Sequence, residues 1–265
     1  MINSKKKVGL QVFNIIALVI TLIVNILSGT GLINGKLVGE VSEAYPNLFT
    51  PAGFTFSIWS IIYLFLILYV FFQAKDVFKS EKEDMRFIEQ ISIFFILSCV
   101  FNSLWLVVWL YDFILLSLII MILLLLDLIV IYLRLNIARE DVDRKVKILV
   151  WIPFSLYLGW ISIATIANTT VFLVSINWNG FGISPVIWTI IILIVALILT
   201  LVVLYTRKDT IYPLVTIWAL IGIFASKIAQ NYEVALFAII IALIVLGNLL
   251  IFIIQRKLMS NTKNR

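Results

Sequence analysis

Long apolar runs are the feature that most constrains how this chain can fold. A bilayer-spanning α-helix needs about 20 mainly apolar residues, and runs close to that length recur throughout the 265 residues. The chain is 63% hydrophobic and 13% charged, with a mean hydropathy of +1.15. The sequence therefore predicts an all-α integral membrane protein. We predict eight helices, over residues 8–33, 52–74, 87–110, 113–135, 147–174, 184–206, 211–228 and 233–255.

Basic residues are unevenly divided between the two sides of this predicted topology. Only Lys36 and Lys227 fall on one side, and the other 18 of the 20 fall on the opposite side. Cytoplasmic connections are enriched in Lys and Arg, so both termini are predicted to be cytoplasmic. The 18 residues are Lys5, Lys6, Lys7, Lys75, Lys79, Lys82, Arg86, Arg134, Arg139, Arg144, Lys145, Lys147, Arg207, Lys208, Arg256, Lys257, Lys263 and Arg265.

The net charge of +6 is explained by this topology and by contact with anionic lipid headgroups, so no nucleic-acid partner is predicted. Helices rich in Ile and Leu, together with many Lys and Asn residues, suggest an AT-rich bacterial genome. The predicted location is therefore a bacterial cell membrane.

The residue inventory limits the chemistry that the chain can perform. His is absent, which removes the usual neutral-pH acid/base group and the commonest metal and haem ligand. Cys99 is the only cysteine, so an intrachain disulfide and a cysteine-based metal cluster are excluded. No metal site, resident cofactor or nucleophile–base motif is predicted, and this argues against an enzymatic function. The polar links at residues 75–86 and 136–147 are too short for a soluble domain.

A turn runs directly into an aromatic helix at residues 49–63. Pro51 restricts the backbone at the start of this helix, and Gly53 is expected to permit a close backbone approach that a side chain would block. Three rings then follow at i, i+3 and i+7, which places them on one helix face: Phe56, Trp59 and Tyr63.

The outer loop, residues 34–50, is the one long segment on the side opposite the basic clusters. Gly35, Gly39 and Pro46 interrupt regular structure, while Tyr45 and Phe49 add apolar surface. We predict that this loop folds as a cap over the helix ends. The alternative is an ordinary surface turn with a few interfacial aromatic residues.

Polar and aromatic residues form stripes inside several apolar runs. Unpaired polar groups are costly in hydrocarbon, so such stripes normally face the bundle interior. They can bind neighbouring helices together, or they can line a common pocket for a flat, largely apolar ligand. The stripes are Asn14, Thr21, Asn25 and Ser28 on the first helix, Asn102, Trp105 and Trp109 on the third, and Trp160, Ala164 and Asn168 on the fifth.

Asp127 is a lone carboxylate well inside the fourth apolar run. A buried charge is costly unless it is paired or neutralised. Asp127 could hydrogen-bond an amide across the bundle or take part in proton movement, and Arg134 at i+7 is a candidate partner.

Three separated motifs resemble the tryptophan-rich sensory protein or translocator protein family, also called peripheral benzodiazepine receptor-like. They are Pro46 with Phe49-Thr50-Pro51-Ala52-Gly53, Phe56, Trp59 and Tyr63; Asn102 with Trp105; and Trp160 with Ala164, Thr165 and Asn168. The resemblance covers about residues 8–175 and implies a five-helix bundle enclosing a pocket that the outer loop closes. It implies porphyrins such as protoporphyrin IX, sterol-like lipids or benzodiazepine-type drugs as ligands. Where the family commonly has Trp and a second Pro, this chain has Phe49 and Ala52.

This resemblance implies two domains, a core at residues 1–175 and three additional helices at residues 176–265. The additional helices could form a homo-oligomer interface, shield the bundle from lipid or add a second path. The resemblance also implies a set of ligand-binding residues: Phe49, Pro51, Gly53, Phe56, Trp59, Tyr63, Asn102, Trp105, Trp160, Ala164, Thr165 and Asn168.

Two functions from different classes remain open at this point. One is a membrane receptor, sensor or carrier that binds a porphyrin or another flat hydrophobic molecule in the aromatic pocket. The other is an ion- or proton-coupled transporter that uses Asp127 and the intramembrane asparagines.

Overall fold

The computed structural model describes residues 3–263, with side chains up to residue 259. Arg265 and the side chain of Lys263, two of the basic residues counted above, lie outside the described part. Residues 3–263 contain helices and loops but no strand. The α-helices are α1 (Ser4–Gly29), α2 (Val38–Glu43), α3 (Ile58–Ala74), α4 (Arg86–Ile91), α5 (Phe94–Leu110), α6 (Ile114–Arg134), α7 (Arg144–Val146), α8 (Ile152–Ser175), α9 (Pro185–Val202), α10 (Tyr212–Lys227) and α11 (Tyr232–Lys263).

Six of the described helical segments are long and apolar enough to cross a membrane. Two shorter apolar helices, α5 and α10, have 17 and 16 residues. Each of the eight predicted runs therefore corresponds to one apolar helix, and the predicted all-α membrane fold is confirmed. The six long segments are Ser4–Gly29, Gly53–Ala74, Ile114–Arg134, Arg144–Ser175, Pro185–Arg207 and Tyr232–Met259.

Local backbone chemistry explains where the observed helices differ from the predicted ranges. The run predicted at residues 87–110 is divided at Ser92, whose φ of 51° ends α4 before α5 begins. A 3₁₀ turn at Gly53–Ser57 precedes α3, so the α-helix starts later than predicted. A π-helical segment at Lys147–Trp151 leads into α8, next to Pro153, which has no backbone N–H to donate. Ser184 caps α9 by accepting a hydrogen bond from the Ile187 N–H.

The contacts divide the chain into two compact units. The first unit contains residues 1–46 and 57–177, and the second contains residues 47–56 and 178–265. This division falls close to residue 175 but also places the short segment 47–56 with the C-terminal helices. The domain boundary at residue 175 remains a prediction. The sequence did not indicate that residues 47–56 group with the C-terminal helices.

In the first unit, α6 lies between α5 and α8, and α1 packs against α3 and α5. Buried apolar side chains from these helices fill the interior, among them Ile62, Tyr69, Phe95, Leu124 and Phe154. The rings of Phe95 and Phe154 meet Tyr69 edge to face at 5.1 and 5.2 Å. This packing sets the positions from which the polar stripes project.

A buried polar network in the first unit connects α1 with the end of α3. The Lys7 ammonium lies 2.5 Å from an Asp76 carboxylate oxygen and also donates to the Glu83 carbonyl. The Gln11 side-chain amide donates to the other Asp76 oxygen, and the Gln73 side-chain amide donates to the backbone carbonyl of Gln11. We call Lys7, Gln11, Asn14, Gln73 and Asp76 the Lys7 network; Asn14 joins it by donating to the Gln73 side chain.

In the second unit, α10 packs closely against α11, and α9 contacts both of them. Small and apolar side chains from these helices form the core, including Leu193, Val215, Ala235, Ala238 and Val245. The hydroxyls of Thr200 and Thr216 lie 2.9 Å apart between α9 and α10. Small residues and hydroxyl pairs of this kind are typical of helices that approach closely in a membrane.

Candidate functional site

Four rings from α3 and α8 form an aromatic cluster inside the first unit: Trp59, Tyr63, Tyr157 and Trp160. Trp59 lies at its centre, stacked on Tyr63 with ring centroids 5.4 Å apart. Tyr157 and Trp160 each meet Trp59 edge to face, with ring centroids 5.9 and 6.3 Å from that of Trp59. Tyr157 and Trp160 are buried, whereas Trp59 and Tyr63 are half-buried. The stacked pair is therefore the accessible side of the cluster.

An amide cluster adjoins these rings at Tyr63. The Tyr63 hydroxyl lies 2.8 Å from the Asn25 Oδ1 and 3.1 Å from the Asn102 Oδ1. Asn25 donates through its Nδ2 to Asn102. Three helices, α1, α3 and α5, thus place polar atoms beside the aromatic rings. The structure confirms that these stripes of the first and third predicted helices face a common interior.

Asn168 connects α5, α6 and α8. Its Oδ1 accepts a hydrogen bond of 2.9 Å from the Trp105 indole, and its Nδ2 donates to the Ser117 hydroxyl at 3.1 Å. Trp105 also stacks on Trp109 with ring centroids 5.7 Å apart. Both polar ends of the Asn168 amide are therefore used between helices. These contacts support the interpretation of Asn168 as a polar link between helices.

The amino-terminal half of the outer loop folds against the end of α5. Asn34 donates to the Leu110 carbonyl, and the Trp109 indole donates to the Val38 carbonyl at 3.1 Å. Lys36 forms an ion pair with Asp112 at the same end. The short helix α2 also packs on α5. The predicted cap over the helix ends is thus confirmed for this half of the loop.

The remaining loop residues predicted to bind ligand lie in the second unit. Phe49 is 1% exposed, and Asn47 Oδ1 accepts hydrogen bonds from the backbone N–H groups of Phe49 and Thr50. Pro51 is also buried, while Phe56 is half-buried. The predicted stripe therefore divides: Phe56 belongs to a 3₁₀ turn grouped with the second unit, and Trp59 and Tyr63 belong to α3.

The expectation that Gly53 permits a close backbone approach is wrong. Gly53 is exposed, and a Cβ added there would meet no atom within 4 Å. The close approach occurs at Gly222 of α10, where an added Cβ would overlap the side chain of Thr55. The sequence shows that a glycine is present in the turn. Only the packing shows at which glycine another residue occupies the position that a side chain would fill.

Two further predicted ligand residues lie in α8. The Thr165 hydroxyl donates to the Ile161 carbonyl one turn earlier, and Ala164 is half-buried beside it. Ala164 and Thr165 remain predictions as ligand contacts, because Ala164 has no polar side-chain group and the described hydrogen bond of the Thr165 hydroxyl lies within α8.

Asp127 is buried, and its Oδ2 has no hydrogen-bond partner among the described residues. The predicted partnership with Arg134 is wrong. Arg134 instead donates to the Glu89 carbonyl, and its guanidinium lies 5.2 Å from the centroid of the Phe94 ring. It also lines a cavity of about 380 Å³ with Arg86, Glu89 and Gln90. That cavity shares no lining residue with the aromatic cluster.

Two residues that complete these clusters were not singled out from the sequence. Tyr157 precedes Trp160 by three residues, so helical spacing could have placed it on the same face. Ser117 is the lone serine in the apolar run of α6, and an intramembrane polar residue of this kind is recognisable from the sequence. The contact of Thr55 with Gly222 has no comparable signal, because the two residues are far apart in the chain.

Comparison with known proteins agrees with the fold and with the resemblance of the motifs. No curated protein and no solved structure matches the chain. A family model described as TSPO-like protein matches residues 11–252. The match continues through α9 and α10 and into α11, beyond the five helices on which the resemblance rested. This chain is a multi-pass integral membrane protein that belongs to the TSPO-like protein family.

Proposed function

We propose that this protein is a membrane receptor, sensor or carrier for flat hydrophobic ligands. The proposed site comprises the aromatic cluster and the adjoining amide cluster. The observation that carries the proposal is the half-buried stacked pair Trp59 and Tyr63, backed by the buried rings of Tyr157 and Trp160. Stacked and edge-to-face rings provide a large apolar surface for a planar molecule.

The polar atoms next to this surface favour a ligand that is apolar on its faces and polar at its edge. Tyr63 contributes both a ring and a hydroxyl, and the hydroxyl lies against Asn25 and Asn102. A tetrapyrrole has this distribution of polarity, and a sterol-like lipid with one hydroxyl has it in part. Membership of the TSPO-like family supports the same ligand classes. Protoporphyrin IX is therefore the first ligand to test.

The test is a titration of the purified protein with protoporphyrin IX in detergent or nanodiscs. Binding is expected to quench tryptophan fluorescence and to shift the Soret band. Trp59→Leu removes the central ring, and aromatic pairs contribute about 0.5–1.5 kcal/mol, so we expect about three- to tenfold weaker binding.

Trp188→Leu is the matched control, because Trp188 lies in the second unit and donates to the Gly180 carbonyl. This variant is expected to bind as the wild type does. The absence of any quench or Soret shift with wild-type protein would remove the tetrapyrrole proposal. Equal weakening by both variants would remove the aromatic cluster as the site.

A second candidate function is ion- or proton-coupled transport, which the unpartnered Oδ2 of buried Asp127 favours. An ionisable residue inside a membrane-spanning segment is by default a functional candidate. Asp127→Asn separates the two functions. Binding of protoporphyrin IX should be unchanged by this substitution if the protein is a receptor. Coupled transport is favoured if Asp127→Asn abolishes flux in liposomes while Trp59→Leu does not.

The bacterial location and the cytoplasmic placement of both termini are part of this proposal. They rest on the charge distribution of the chain and on the positive-inside rule. With that orientation, the outer loop lies on the side from which an extracytoplasmic ligand would arrive.

A further inference from the structure

The structure assigns a function to the C-terminal helices: we propose that α10 holds residues 52–55 and thereby controls the opening of the outer loop. We call residues 52–55 the docked segment. The docking itself is independent of any ligand. Its effect on ligand entry rests on the proposed function above, and the experiment below separates the two.

Two hydrogen bonds attach the backbone of the docked segment to α10. The Ala52 N–H donates to the Gly222 carbonyl at 3.0 Å, and the Trp218 indole donates to the Thr55 carbonyl at 2.9 Å. Gly222 and Trp218 lie four residues apart and therefore on the same face of the helix. The docked segment thus lies along one face of α10, held near both of its ends.

Steric fit makes this docking specific. Thr55 is fully buried. A Cβ added to Gly222 would overlap the Thr55 Oγ1 and would lie only 2.8 Å from its Cγ2, well inside the distance at which carbon atoms pack. Gly222 is consequently the residue that allows α10 to accept Thr55. Any larger residue at this position would displace either the helix or the docked segment.

Aromatic packing adds to the attachment. The rings of Phe54 and Trp218 meet edge to face, with centroids 5.6 Å apart. The chain leading into the segment is also constrained, because Asn47 accepts hydrogen bonds from Phe49 and Thr50 and Phe49 is buried. The attachment therefore includes backbone, side-chain and ring contacts.

The position of the docked segment in the chain explains why its attachment matters. It ends two residues before Ser57, and Trp59 of the aromatic cluster follows in the first turn of α3. At the other end, Asn34 and Val38 attach the outer loop to α5. The chain from Asn34 to Thr55, which includes the outer loop, is thus held near both of its ends. Release of the docked segment would free the chain immediately before Trp59 while the attachment to α5 remained.

Hydrogen exchange of the intact protein tests the docking without any ligand. Gly222→Ala introduces the overlapping Cβ, whereas Gly247→Ala on α11 is a matched control with no atom within 4 Å of the added carbon. We expect amide exchange in residues 47–56 to become about tenfold faster in Gly222→Ala and to stay at the wild-type rate in Gly247→Ala. Exchange at residues 34–38 should not change in either variant.

Two further variants keep the test decisive. Trp218→Phe retains a ring but removes the donor to the Thr55 carbonyl, so it should also accelerate exchange, and it serves if Gly222→Ala does not fold. Adding Thr55→Ala to Gly222→Ala removes the overlapping oxygen and should restore slow exchange in part. Wild-type exchange rates in both Gly222→Ala and Trp218→Phe would overturn the docking.

Stopped-flow binding of protoporphyrin IX tests the control of entry. We expect Gly222→Ala to raise the association and dissociation rates together, by about fivefold, with little change in affinity. Faster exchange without faster binding would overturn the control of entry while leaving the docking in place. A wild-type protein that does not bind protoporphyrin IX would refute the proposed ligand, and the exchange result would still decide the docking.

Discussion

At the scale of single residues, several asparagine side chains in the interior of the first unit each form hydrogen bonds with more than one partner. Asn168 illustrates this, because it accepts from the Trp105 indole and donates to the Ser117 hydroxyl. An intramembrane Asn next to a Trp stripe could be recognised from the sequence by helical spacing. Its partner on α6 could not, because helical periodicity shows which face a residue occupies but not which atom lies opposite.

Replacing Asn168 tests how much this amide stabilises the fold. Asn168→Leu leaves the buried indole N–H of Trp105 without its acceptor, which should lower the free energy of unfolding by about 1–2 kcal/mol. Thr170→Val is the control, because the Thr170 hydroxyl donates only to the Ile166 carbonyl of its own helix in the described contacts. Thermal or denaturant unfolding in detergent, followed by tryptophan fluorescence, measures the difference. Equal stability of the two variants would contradict a bridging role for Asn168.

At the scale of helices, the Lys7 network attaches the start of α1 to the end of α3. Burial by itself would raise the pKa of Asp76, but hydrogen bonds from Lys7, Gln11 and the Glu83 backbone N–H lower it below its usual range. A carboxylate with a lowered pKa in the folded state stabilises the fold above its unfolded-state pKa. That stabilisation is lost as the pH falls through the folded-state pKa.

Asp76→Asn should therefore destabilise the protein at neutral pH. Removing one partner of a buried ion pair leaves Lys7, which is 5% exposed, without its counter-ion, and the expected loss is about 3 kcal/mol. The wild type should begin to lose this advantage below about pH 4, where Asp side chains of the unfolded chain take up protons. The two unfolding curves should approach each other as the pH falls further towards the lowered folded-state pKa of Asp76. Thermal unfolding in detergent from pH 3 to pH 7 measures both effects.

Asp141→Asn is the matched control for this prediction. Asp141 pairs with Lys147, but its side chain is fully exposed, and exposed pairs of this kind contribute little. No measurable change in stability is expected at neutral pH. A similar response of the Asp76 and Asp141 variants would show that the Lys7 network is not a stabilising element.

At the scale of the whole molecule, the chain passes twice between its two compact units around residues 47–56. The family match to residues 11–252 includes both units. The family match therefore includes α9, α10 and most of α11, and α10 carries the surface that residues 52–55 contact.

The predicted orientation of the molecule can be tested by cysteine labelling in intact cells. In a Cys99→Ala background, an impermeant maleimide should label Gln230→Cys, which lies between α10 and α11, but not Ser80→Cys, which lies in a basic connection. The reason is the concentration of basic residues on the side of Ser80. Both positions are exposed and should react after the membrane is permeabilised. Labelling of Ser80→Cys alone would reverse the predicted topology.

The amino-acid sequence by itself determined the class of the protein and the positions of its membrane helices. Length, apolarity and helical spacing are local properties, and hydrocarbon imposes the same requirement on every run that crosses it. The sequence also indicated the residues that meet inside the first unit, such as Trp59, Tyr63, Asn102 and Trp160, because their stripes lie on the inward faces of their helices.

Only the tertiary structure decided what lies opposite each of these faces. It showed that Gly222 rather than Gly53 permits a close approach, and that Arg134 contacts Glu89 and Phe94 instead of Asp127. It also showed that α10 contacts residues 52–55, which follow the outer loop. The physical reason is that the role of a glycine, a guanidinium or a buried amide depends on the atoms that surround it. Here those atoms come from helices distant in the chain, and neither hydropathy nor helical spacing specifies them.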